Sequence, residues 1–358
     1  MRVLALVPNQ LGYSPGQRGS IELWEKVLAP EGIHVEFAPF ENDELRKVLY
    51  FSGRNAKKAY EMARGYLERL RLLRELDRFD AVFVYREAAL IGPALLERLV
   101  ARKKPIIYQL DDPLFVPYKS QYNGYFSHLK FFGKIKRIIE MSKVVMVNSS
   151  GIRQFAESYN KNIWQVPSLV DTSKFEYRPF SETPERVCVG WSGSPTTLKN
   201  LKLVEAPLRN ISQKRICDLH FIGGTDIVLR DVDFSSQMWN SETEVEDLRK
   251  IQIGLVPLAS DNPWNPYKFI MKTAQYMALG IVPVGTPIAS NLEVIRHGEN
   301  GFLAKDDADW EKYLSLLVID HKLRNQMSAV CAKDALEKYS LKAKTPLIVD
   351  AFRSAVKS

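Results

Sequence analysis

The sequence is poor in cysteine and contains no long apolar run. Cys188, Cys217 and Cys331 are odd in number among 358 residues, and none lies in a CxxC pair, which argues against a disulfide framework and a structural zinc site. No apolar run approaches the roughly 18 residues of a membrane-spanning helix, and the first run, residues 3–7, is too short for the core of a signal peptide. We therefore expect a cytoplasmic protein in a reducing compartment.

The sequence also lacks the low hydrophobicity of a disordered chain, since 46% of its residues are hydrophobic and 26% are charged. Its length favours two domains. The net charge of +8 lies entirely in residues 1–170, which hold 26 basic and 18 acidic residues, whereas the remainder holds 24 of each. A charge confined to one half favours an anionic partner for that half: a membrane surface, a nucleic acid or a phosphorylated substrate.

Short apolar or β-branched runs alternate with longer helical patterns along the chain. This order is typical of parallel sheets with helical crossovers, and a polar segment around Pro179–Pro184 separates two series of runs. The sequence therefore predicts an α/β protein with two successive domains of similar size. The predicted strands are Val3–Val7, His34–Ala38, Ala81–Tyr85, Pro105–Tyr108, Val144–Asn148 and Trp164–Val166 in the first series, and Val187–Trp191, Leu219–Ile222, Ile253–Pro257, Ile281–Val284 and Gly301–Ala304 in the second.

Two basic segments of the first half, Arg46–Arg78 and Lys130–Arg137, carry apolar residues at helical spacing. In the longer segment these residues recur three and four positions apart, which places them on one stripe opposite the basic side chains, with a break at Ser52-Gly53. Each apolar side would face either the core or an anionic membrane surface. The predicted stripe of the longer helical stretch comprises Leu45, Val48, Leu49, Ala56, Ala59, Tyr60, Ala63, Leu67, Leu70, Leu73 and Leu76.

A glycine-containing loop, Pro8–Gly19, follows the first predicted strand. Backbone amides at Gly12 and Gly16, with Arg18 beside a helix expected to begin near Ser20, would attract a phosphate or a carboxylate. The loop does not read GxGxxG, and no acidic residue follows the second strand where a ribose contact would need one. A dinucleotide site is therefore disfavoured.

A second loop of small residues follows the strand Val187–Trp191. Gly190, Ser192 and Gly193 would let a phosphate approach the backbone, and the ammonium of Lys199 lies close enough in the chain to reach its oxygens. The pair Gly223 and Gly224 follows the next strand and belongs to the same predicted site.

Asp111 and Asp112 follow the fourth predicted strand and so lie at the carboxyl edge of the first sheet, where open α/β sheets bind ligands. Aspartates before a proline also shape turns and cap helices, so both a ligand contact and a turn remain open. A divalent metal is disfavoured because no further Asp or His clusters with the pair.

Two stretches of the second half resemble a known family. Met277–Val284 reads Met-Ala-Leu-Gly-Ile-Val-Pro-Val, and Glu293–Leu303 reads Glu-Val-Ile-Arg-His-Gly-Glu-Asn-Gly-Phe-Leu. With these motifs, the segment Val166–Phe175 and the final helix Pro346–Val356, the chain resembles the retaining GT-B glycosyltransferases of family four (glycosyl transferases group 1) over nearly its whole length.

The resemblance implies two Rossmann-like domains that face each other across a cleft. Residues 1–170, with a C-terminal helix of about 343–358, would bind the acceptor, and residues 171–342 would bind a nucleotide-sugar. Transfer would retain the anomeric configuration by front-face attack, with the leaving phosphate assisting deprotonation. Family members bind the donor without a metal, so neither a metal nor another cofactor is expected.

The resemblance also implies the site residues. In the family a Glu-x7-Glu segment contacts the donor sugar and the ribose, and its two positions are Tyr267 and Gln275 here; Gln275 can still bond a ribose diol. Lys199 and Lys268 would stabilise the leaving diphosphate. Further donor contacts would come from Lys272, from the backbone of Phe269, Ile270, Met271 and Gly285–Asn291, and from Arg18 with the Gly12–Gly16 loop. Asp111 and Asp112 would contact the acceptor or the reacting sugar.

The acceptor side of the prediction rests on the uneven charge. We expect a lipid-linked or cell-envelope glycan acceptor, reached by docking Arg46–Arg78 and Lys130–Arg137 on an anionic membrane, peripherally at the inner face of the plasma membrane. The alternatives are a GT-B sugar-nucleotide epimerase, which needs no acceptor, and a non-catalytic module that binds nucleotide-sugars or nucleic acid. Nucleic acid is disfavoured because the basic segments carry no reading motif.

Overall fold

The computed structural model describes residues 1–51, 53–118, 129–180 and 186–357. The chain divides into two compact units: unit 1 is Met1–Ser168 with Lys344–Ser358, and unit 2 is Leu169–Ala343. The divisions expected from the sequence, after residues 170 and 342, differ from these by no more than two residues. Part of the expected linker, residues 181–184, lies outside the described ranges, as does Ser52.

Unit 1 is built on a parallel sheet with the strand order β2-β1-β3-β4-β5-β6. Because β2 lies on one side of β1 and all later strands lie on the other, the strand order reverses between β1 and β3, and open sheets of this kind bind ligands at that switch point. β3 and β4 are buried along their whole length, as expected of strands covered on both faces. The strands are β1 (Arg2–Val7), β2 (His34–Pro39), β3 (Ala81–Tyr85), β4 (Ile106–Leu110), β5 (Val144–Val147) and β6 (Ile163–Gln165).

Helices cover both faces of the first sheet. Right-handed crossovers place α1 and α2 on one face and α3 to α7 on the other. The final helix, α14, returns to the face of α2, where Phe352 stacks on Phe83 with ring centroids 5.5 Å apart and Trp24 meets the same ring edge-on at 6.4 Å. The helices are α1 (Pro15–Gln17), α2 (Leu23–Leu28), α3 (Asp43–Leu49), α4 (Asn55–Leu72), α5 (Leu95–Ala101), α6 (Lys134–Met141), α7 (Ser150–Glu157) and α14 (Leu341–Val356).

Unit 2 repeats this architecture with the strand order β12-β11-β10-β7-β8-β9. Its switch point lies between β7 and β10, so the loops after these strands border the expected ligand crevice. The strands are β7 (Val187–Ser192), β8 (Cys217–Ile222), β9 (Ser235–Gln237), β10 (Ile253–Val256), β11 (Val282–Gly285) and β12 (Phe302–Leu303), and the helices are α8 (Glu205–Gln213), α9 (Glu244–Arg249), α10 (Met271–Ala278), α11 (Asn291–Val294), α12 (Asp307–Ile319) and α13 (His321–Asp334).

The predicted α/β class is confirmed, and each predicted strand is present with its ends shifted by at most two residues. The sequence did not predict β9, a three-residue strand of Ser-Ser-Gln that pairs in parallel with β8. Short polar edge strands carry no apolar pattern, so only the neighbouring strand reveals them.

Among the helices, α7 is capped by Ser149, whose side chain accepts a hydrogen bond from the amide of Ile152.

The apolar stripe of the first basic segment, for which the sequence left both the core and a membrane surface open, is buried in α3 and exposed in α4. In α3, Leu45, Val48 and Leu49 are buried. In α4 the buried positions are Lys58, Glu61, Met62, Gly65 and Arg69, whereas Tyr60, Leu67 and Leu70 are 68%, 57% and 41% exposed. The helix therefore turns its apolar stripe to solvent.

Specific contacts explain why α4 presents its polar side to the sheet. The guanidinium of Arg69 donates to the carbonyls of Val7 and Ala88 at 3.0 and 2.8 Å, and Asn42 donates to Glu61 at 2.8 Å. Gly65 lies against the ring of Phe40, which a Cβ at this position would approach to 3.0 Å. Satisfied buried polar groups and one close approach outweigh the exposure of three apolar side chains.

Candidate functional site

The loops after β7 and β8 meet at the switch point of unit 2. Gly223, at φ +131°, approaches Gly193 so closely that a Cβ on Gly223 would lie 1.7 Å from the carbonyl oxygen of Gly193. The amide of Gly193 donates to the carbonyl of Ile222 at 2.9 Å, and that of Gly223 to Gln237 at 2.8 Å. The first bond joins the loop after β7 to the end of β8, and the second joins the loop after β8 to β9. The donor contacts expected of Gly193 and Gly223 stay predictions.

Ser192, Gly190 and Gly224 also have structural partners. The amide of Ser192 donates to the phenolic oxygen of Tyr276 at 2.7 Å. Gly190 lies inside β7, where a Cβ would come within 2.4 Å of Ile251. A Cβ on Gly224 would lie 3.1 Å from the side chain of Leu198. Packing inside the strand accounts for a glycine at position 190, and the donor-binding role of Gly190 stays a prediction.

Lys272, in the first turn of α10, brings a positive charge to this edge. Its Nζ lies 4.3 Å from the ring centroid of Trp191 and against Gly193, 2.8 Å from where a Cβ would lie. The ammonium is enclosed although the side chain as a whole is half-buried. Burial lowers the pKa of Lys272 to about 7, and no carboxylate of the described residues offsets it. At this pKa the amine is about half protonated at neutral pH, and an anion bound beside it would favour the charged form.

The first turn of α10 adds backbone donors beside Lys272. Helix N-termini leave amides without intrahelical acceptors and favour anions, and Met271 begins this eight-residue helix. The amide of Ile270 is already bonded to the Ser290 hydroxyl at 2.7 Å. Phe269 packs near Tyr339 with centroids 6.0 Å apart. Met271 and Lys272 are thus the residues of this segment that are placed to meet an anion.

The other predicted donor residues lie in the same part of unit 2. Tyr267 ends the 3-10 turn Asn265–Tyr267, and the Nζ of Lys268 lies 5.4 Å from the ring centroid of Trp264. Gln275 is half-buried on α10. Lys199 is exposed in the 3-10 segment Pro195–Val204. Their donor and leaving-group roles stay predictions.

Sequence reasoning did not single out the side chain of Asn291, which connects the elements that form the candidate site. The buried side chain of Asn291 donates to the carbonyls of Val256 and Thr286 at 3.3 and 3.0 Å and accepts from the Thr273 hydroxyl at 3.3 Å. It thereby joins the ends of β10 and β11 to α10. A fully buried amide at the start of α11, in the segment that follows β11, is a signal of such a role, but burial is not visible in the sequence alone.

Asp111 and Asp112 of unit 1 form a tight ionic cluster with a residue that the sequence did not single out, Arg86. The guanidinium of Arg86 lies 2.6 and 2.9 Å from the two oxygens of Asp111 and 2.6 Å from an oxygen of Asp112, and Tyr85 donates to Asp111 at 2.5 Å. Arg86 adopts φ +62°, which is unusual for a bulky residue. The cluster lies beside the carboxyl ends of β3 and β4.

Hydrogen bonds within the cluster engage both carboxylate oxygens of Asp111. Burial lowers the pKa of Arg86, but Asp111 and Asp112 outweigh this and hold it well above its usual value. Burial raises the pKa of the Tyr85 phenol well above its usual value, so Tyr85 remains a donor. Both oxygens of Asp111 are occupied, and Asp112 is the more exposed of the two carboxylates. The acceptor or sugar contacts expected of Asp111 and Asp112 stay predictions.

The first glycine loop differs from its prediction. Helix α1 begins at Pro15 rather than near Ser20, so Gly16 lies in a helix and Arg18 in the π-helical turn Arg18–Glu22 that follows it. A Cβ on Gly16 would lie 2.6 Å from the Tyr85 hydroxyl and 2.7 Å from Asp111.

Carboxylates already occupy the amides of this loop. The amide of Gly12 donates to Glu22 at 2.9 Å, and that of Gln10 to Glu41 at 3.4 Å. Burial raises the pKa of Glu41. A phosphate at the amide of Gly12 would displace the Glu22 carboxylate. The phosphate roles of Gly12 and Gly16 stay predictions.

Several cations of the two basic segments are used inside unit 1. Lys134 is buried, with Nζ 2.8 Å from Glu87 and 2.9 Å from the Ala89 carbonyl, and Lys130 lies 3.7 Å from Glu87. Lys58 donates to the Phe51 carbonyl at 2.6 Å. The prediction that Lys130–Arg137 as a whole faces a membrane is therefore wrong for Lys134, and the surface charge belongs to the remaining exposed cations.

The described ranges contain neither a membrane-spanning helix nor a cluster of metal-ligating side chains. No helix there combines the length and the apolar character needed to cross a membrane. In the same ranges no group of three or more His, Cys, Asp or Glu side chains is placed to hold a metal ion. Donor binding without a metal stays a prediction.

Solved structures share the architecture of the whole chain. Sucrose-phosphate synthase from Thermosynechococcus elongatus superposes with a TM-score of 0.73 at 14% identity, covering 98% of each chain. This chain has the fold of the GT-B glycosyltransferases. Anabaena HepE in complex with UDP-glucose gives 0.68 at 12% identity, covering 99% of this chain and 100% of that one. A glycosyltransferase from Rickettsia africae gives 0.68 at 14%, covering 100% and 99%.

Among the comparisons with known proteins, only those with solved structures support the GT-B fold. No family model matches the sequence, and no curated protein matches it significantly. At 12 to 14% identity, the structural likeness shows the fold and leaves the substrates open.

Proposed function

We propose that the protein is a retaining glycosyltransferase that moves a sugar from a nucleoside-diphosphate sugar to a lipid-linked or cell-envelope acceptor. The observation that carries this proposal is the position of Lys272, whose Nζ lies over Trp191 and beside Gly193 at the switch point of unit 2, where no carboxylate of the described residues acts on it. A diphosphate supplies the missing charge, and the fold is one in which HepE was crystallised with UDP-glucose.

The leaving diphosphate is stabilised by groups that are in place before the reaction. Lys272 and the first amides of α10 present positive charge to it in a site of low dielectric, where such charge is most effective. Lys268 and Lys199 add charge from the surrounding loops. These cations replace the divalent metal that would otherwise neutralise a diphosphate, so transfer proceeds in the presence of a chelator.

The sugar and the ribose contact uncharged side chains. Gln275 bonds the ribose diol, and Tyr267 stands where the resembling family has a carboxylate for the sugar. Retention follows from attack on the face of the departing phosphate, whose oxygen takes the acceptor proton. Asp112, held by Arg86, is the carboxylate of unit 1 that contacts the acceptor.

Nucleotide binding and acceptor-dependent release of nucleoside diphosphate test this function together. We expect one or more of a panel of nucleoside-diphosphate sugars to stabilise the protein thermally, in buffer containing EDTA. Lys272→Met should weaken that binding at least tenfold, because an enclosed charge pair is lost, and Lys199→Ala should weaken it less. Lys202→Ala, an exposed lysine of the same 3-10 segment as Lys199, is the matched control.

The outcomes separate the candidates. Release of diphosphate only when an acceptor glycan is added supports transfer. Turnover without any acceptor would indicate an epimerase, and failure of every nucleotide to bind would leave a module without donor chemistry. Unchanged nucleotide affinity in Lys272→Met would remove the site assignment.

A further inference from the structure

Helices α5 and α6 of unit 1 border an apolar groove of about 380 Å³, a volume typical of small-molecule sites. Leu95, Phe132 and Met141 are among the side chains that line it. Lys134 also contributes to the wall, but its ammonium is directed to Glu87 and the Ala89 carbonyl, so its stem is what faces the groove. The interior therefore suits a hydrocarbon better than a sugar or a nucleotide.

The mouth of the groove combines exposed apolar side chains with two arginines. Leu95 and Phe131 line the groove and are 49% and 50% exposed. Arg98 and Arg137 line it too, and both are exposed at the surface. Arg137 lies 2.9 Å from Glu140, a pair that is itself open to solvent. An apolar interior with a cationic mouth is complementary to an amphiphile with an anionic head.

The groove is close in the chain to the ionic cluster of unit 1. The segments that line it follow β3 and β4, the strands whose carboxyl ends carry Arg86 and Asp111. Glu87, the neighbour of Arg86, binds Lys134 of the groove wall. An ion pair thus joins the wall of the groove to the residue next to Arg86.

We infer that the groove binds the hydrocarbon chain of a lipid phosphate, whose phosphate is held by Arg98 and Arg137. This inference rests on the proposed function in one respect, that the bound lipid is the carrier of the acceptor. Binding itself needs neither donor nor turnover, so it can be measured separately.

A series of monomeric alkyl phosphates, from hexyl to dodecyl, tests the site on the full chain. Each added methylene transfers apolar surface from water to the groove, so we expect dodecyl phosphate to bind at least tenfold more tightly than hexyl phosphate. Inorganic phosphate should compete weakly. An affinity that does not depend on chain length would overturn the proposal.

Matched variants separate the groove from general surface charge. Arg98→Gln with Arg137→Gln should weaken dodecyl phosphate binding about tenfold, the loss expected for two charge-assisted contacts. Arg102→Gln with Lys136→Gln changes two exposed cations that do not line the groove, one directly after α5 and one on α6, and should change the affinity less than twofold. Equal losses in the two pairs would contradict a defined phosphate site.

A third variant fills the groove. Gly133 lines it and has ordinary helical φ and ψ, and a Cβ there meets nothing within 4 Å, so Gly133→Leu should fold and abolish the chain-length dependence. Retained dependence in a folded Gly133→Leu protein would count against the groove. Nucleoside-diphosphate sugar binding, measured on the same variants, should be unchanged. If the wild-type protein binds no nucleoside-diphosphate sugar, the proposed function is contradicted, whereas the lipid-binding result is unaffected.

Discussion

At the scale of single residues, the most informative feature is a lysine whose charge is not balanced. Lys272 rests on Trp191, and its ammonium is enclosed beside Gly193. Enclosed cations normally have a counter-ion or lose their proton. A functional site can tolerate this cost because the ligand removes it.

The lowered pKa of Lys272 predicts a pH-dependent stability. The folded group titrates at about 7, and an unfolded lysine at about 10.4, so between these values the unfolded chain binds the extra proton. The free energy of unfolding should therefore rise with pH in this window. We expect wild type to gain about 2 kcal/mol relative to Lys272→Met between pH 7.5 and 9.5, as measured by urea denaturation. Parallel pH profiles for the two proteins would contradict the assignment.

The residue scale also shows how far sequence reasoning reaches. Lys272 could be singled out because it stands between two motifs, but its contact with Trp191 depends on β7 and α10 meeting in space. Arg86 was missed because its importance arises from a left-handed backbone that returns its side chain to Asp111. The partners of the first glycine loop were not visible in the sequence, because the carboxylates of Glu22 and Glu41 accept from the amides of Gly12 and Gln10 only in the folded chain.

At the scale of elements, the loops after β7 and β8 depend on one close backbone approach. Gly223 takes φ +131° with its Cα against the Gly193 carbonyl. The strands themselves were predictable, since parallel buried strands leave dense apolar runs. The packing side of α4 was not predictable. Its residues follow the expected helical period, but Arg69 and Gly65 decide which side faces the sheet.

Alanine at the two neighbouring glycines should have unequal effects. Gly223→Ala forces a Cβ into the Gly193 carbonyl and a strained backbone, so we expect a loss of about 3 kcal/mol of stability or a displaced loop with at least tenfold weaker nucleotide binding. Gly224→Ala meets only a flexible Leu198 side chain at 3.1 Å and should cost less than about 1 kcal/mol. Thermal unfolding and nucleotide titration of both variants measure the contrast, and equal effects would refute it.

At the scale of the whole molecule, the excess positive charge belongs to unit 1. Part of it is internal, as Lys134 and Arg69 show, yet α4 still turns both an apolar stripe and arginines to solvent. Arg64 and Arg71 flank Tyr60 and Leu67 on this exposed side. That combination favours adsorption to an anionic lipid surface.

Vesicle sedimentation tests this adsorption. Binding to phosphatidylcholine vesicles should increase when anionic phosphatidylglycerol is added, and should fall several-fold when salt is raised from 0.05 to 0.5 M, because the Debye length shortens from roughly 14 to 4 Å. Arg64→Glu with Arg71→Glu should reduce it further. The control, Lys322→Glu with Lys333→Glu, makes the same charge change on α13 of unit 2. Binding that ignores salt and anionic lipid would exclude the surface.

The return of α14 to unit 1 has a consequence for biosynthesis. Phe352 completes the stack on Phe83, but it is translated after all of Leu169–Ala343. On the ribosome, unit 2 is therefore complete as a continuous segment while the face of the first sheet beneath α14 still lacks its cover. Chains interrupted before residue 344 would expose that apolar face, which makes them natural substrates for chaperones and proteases.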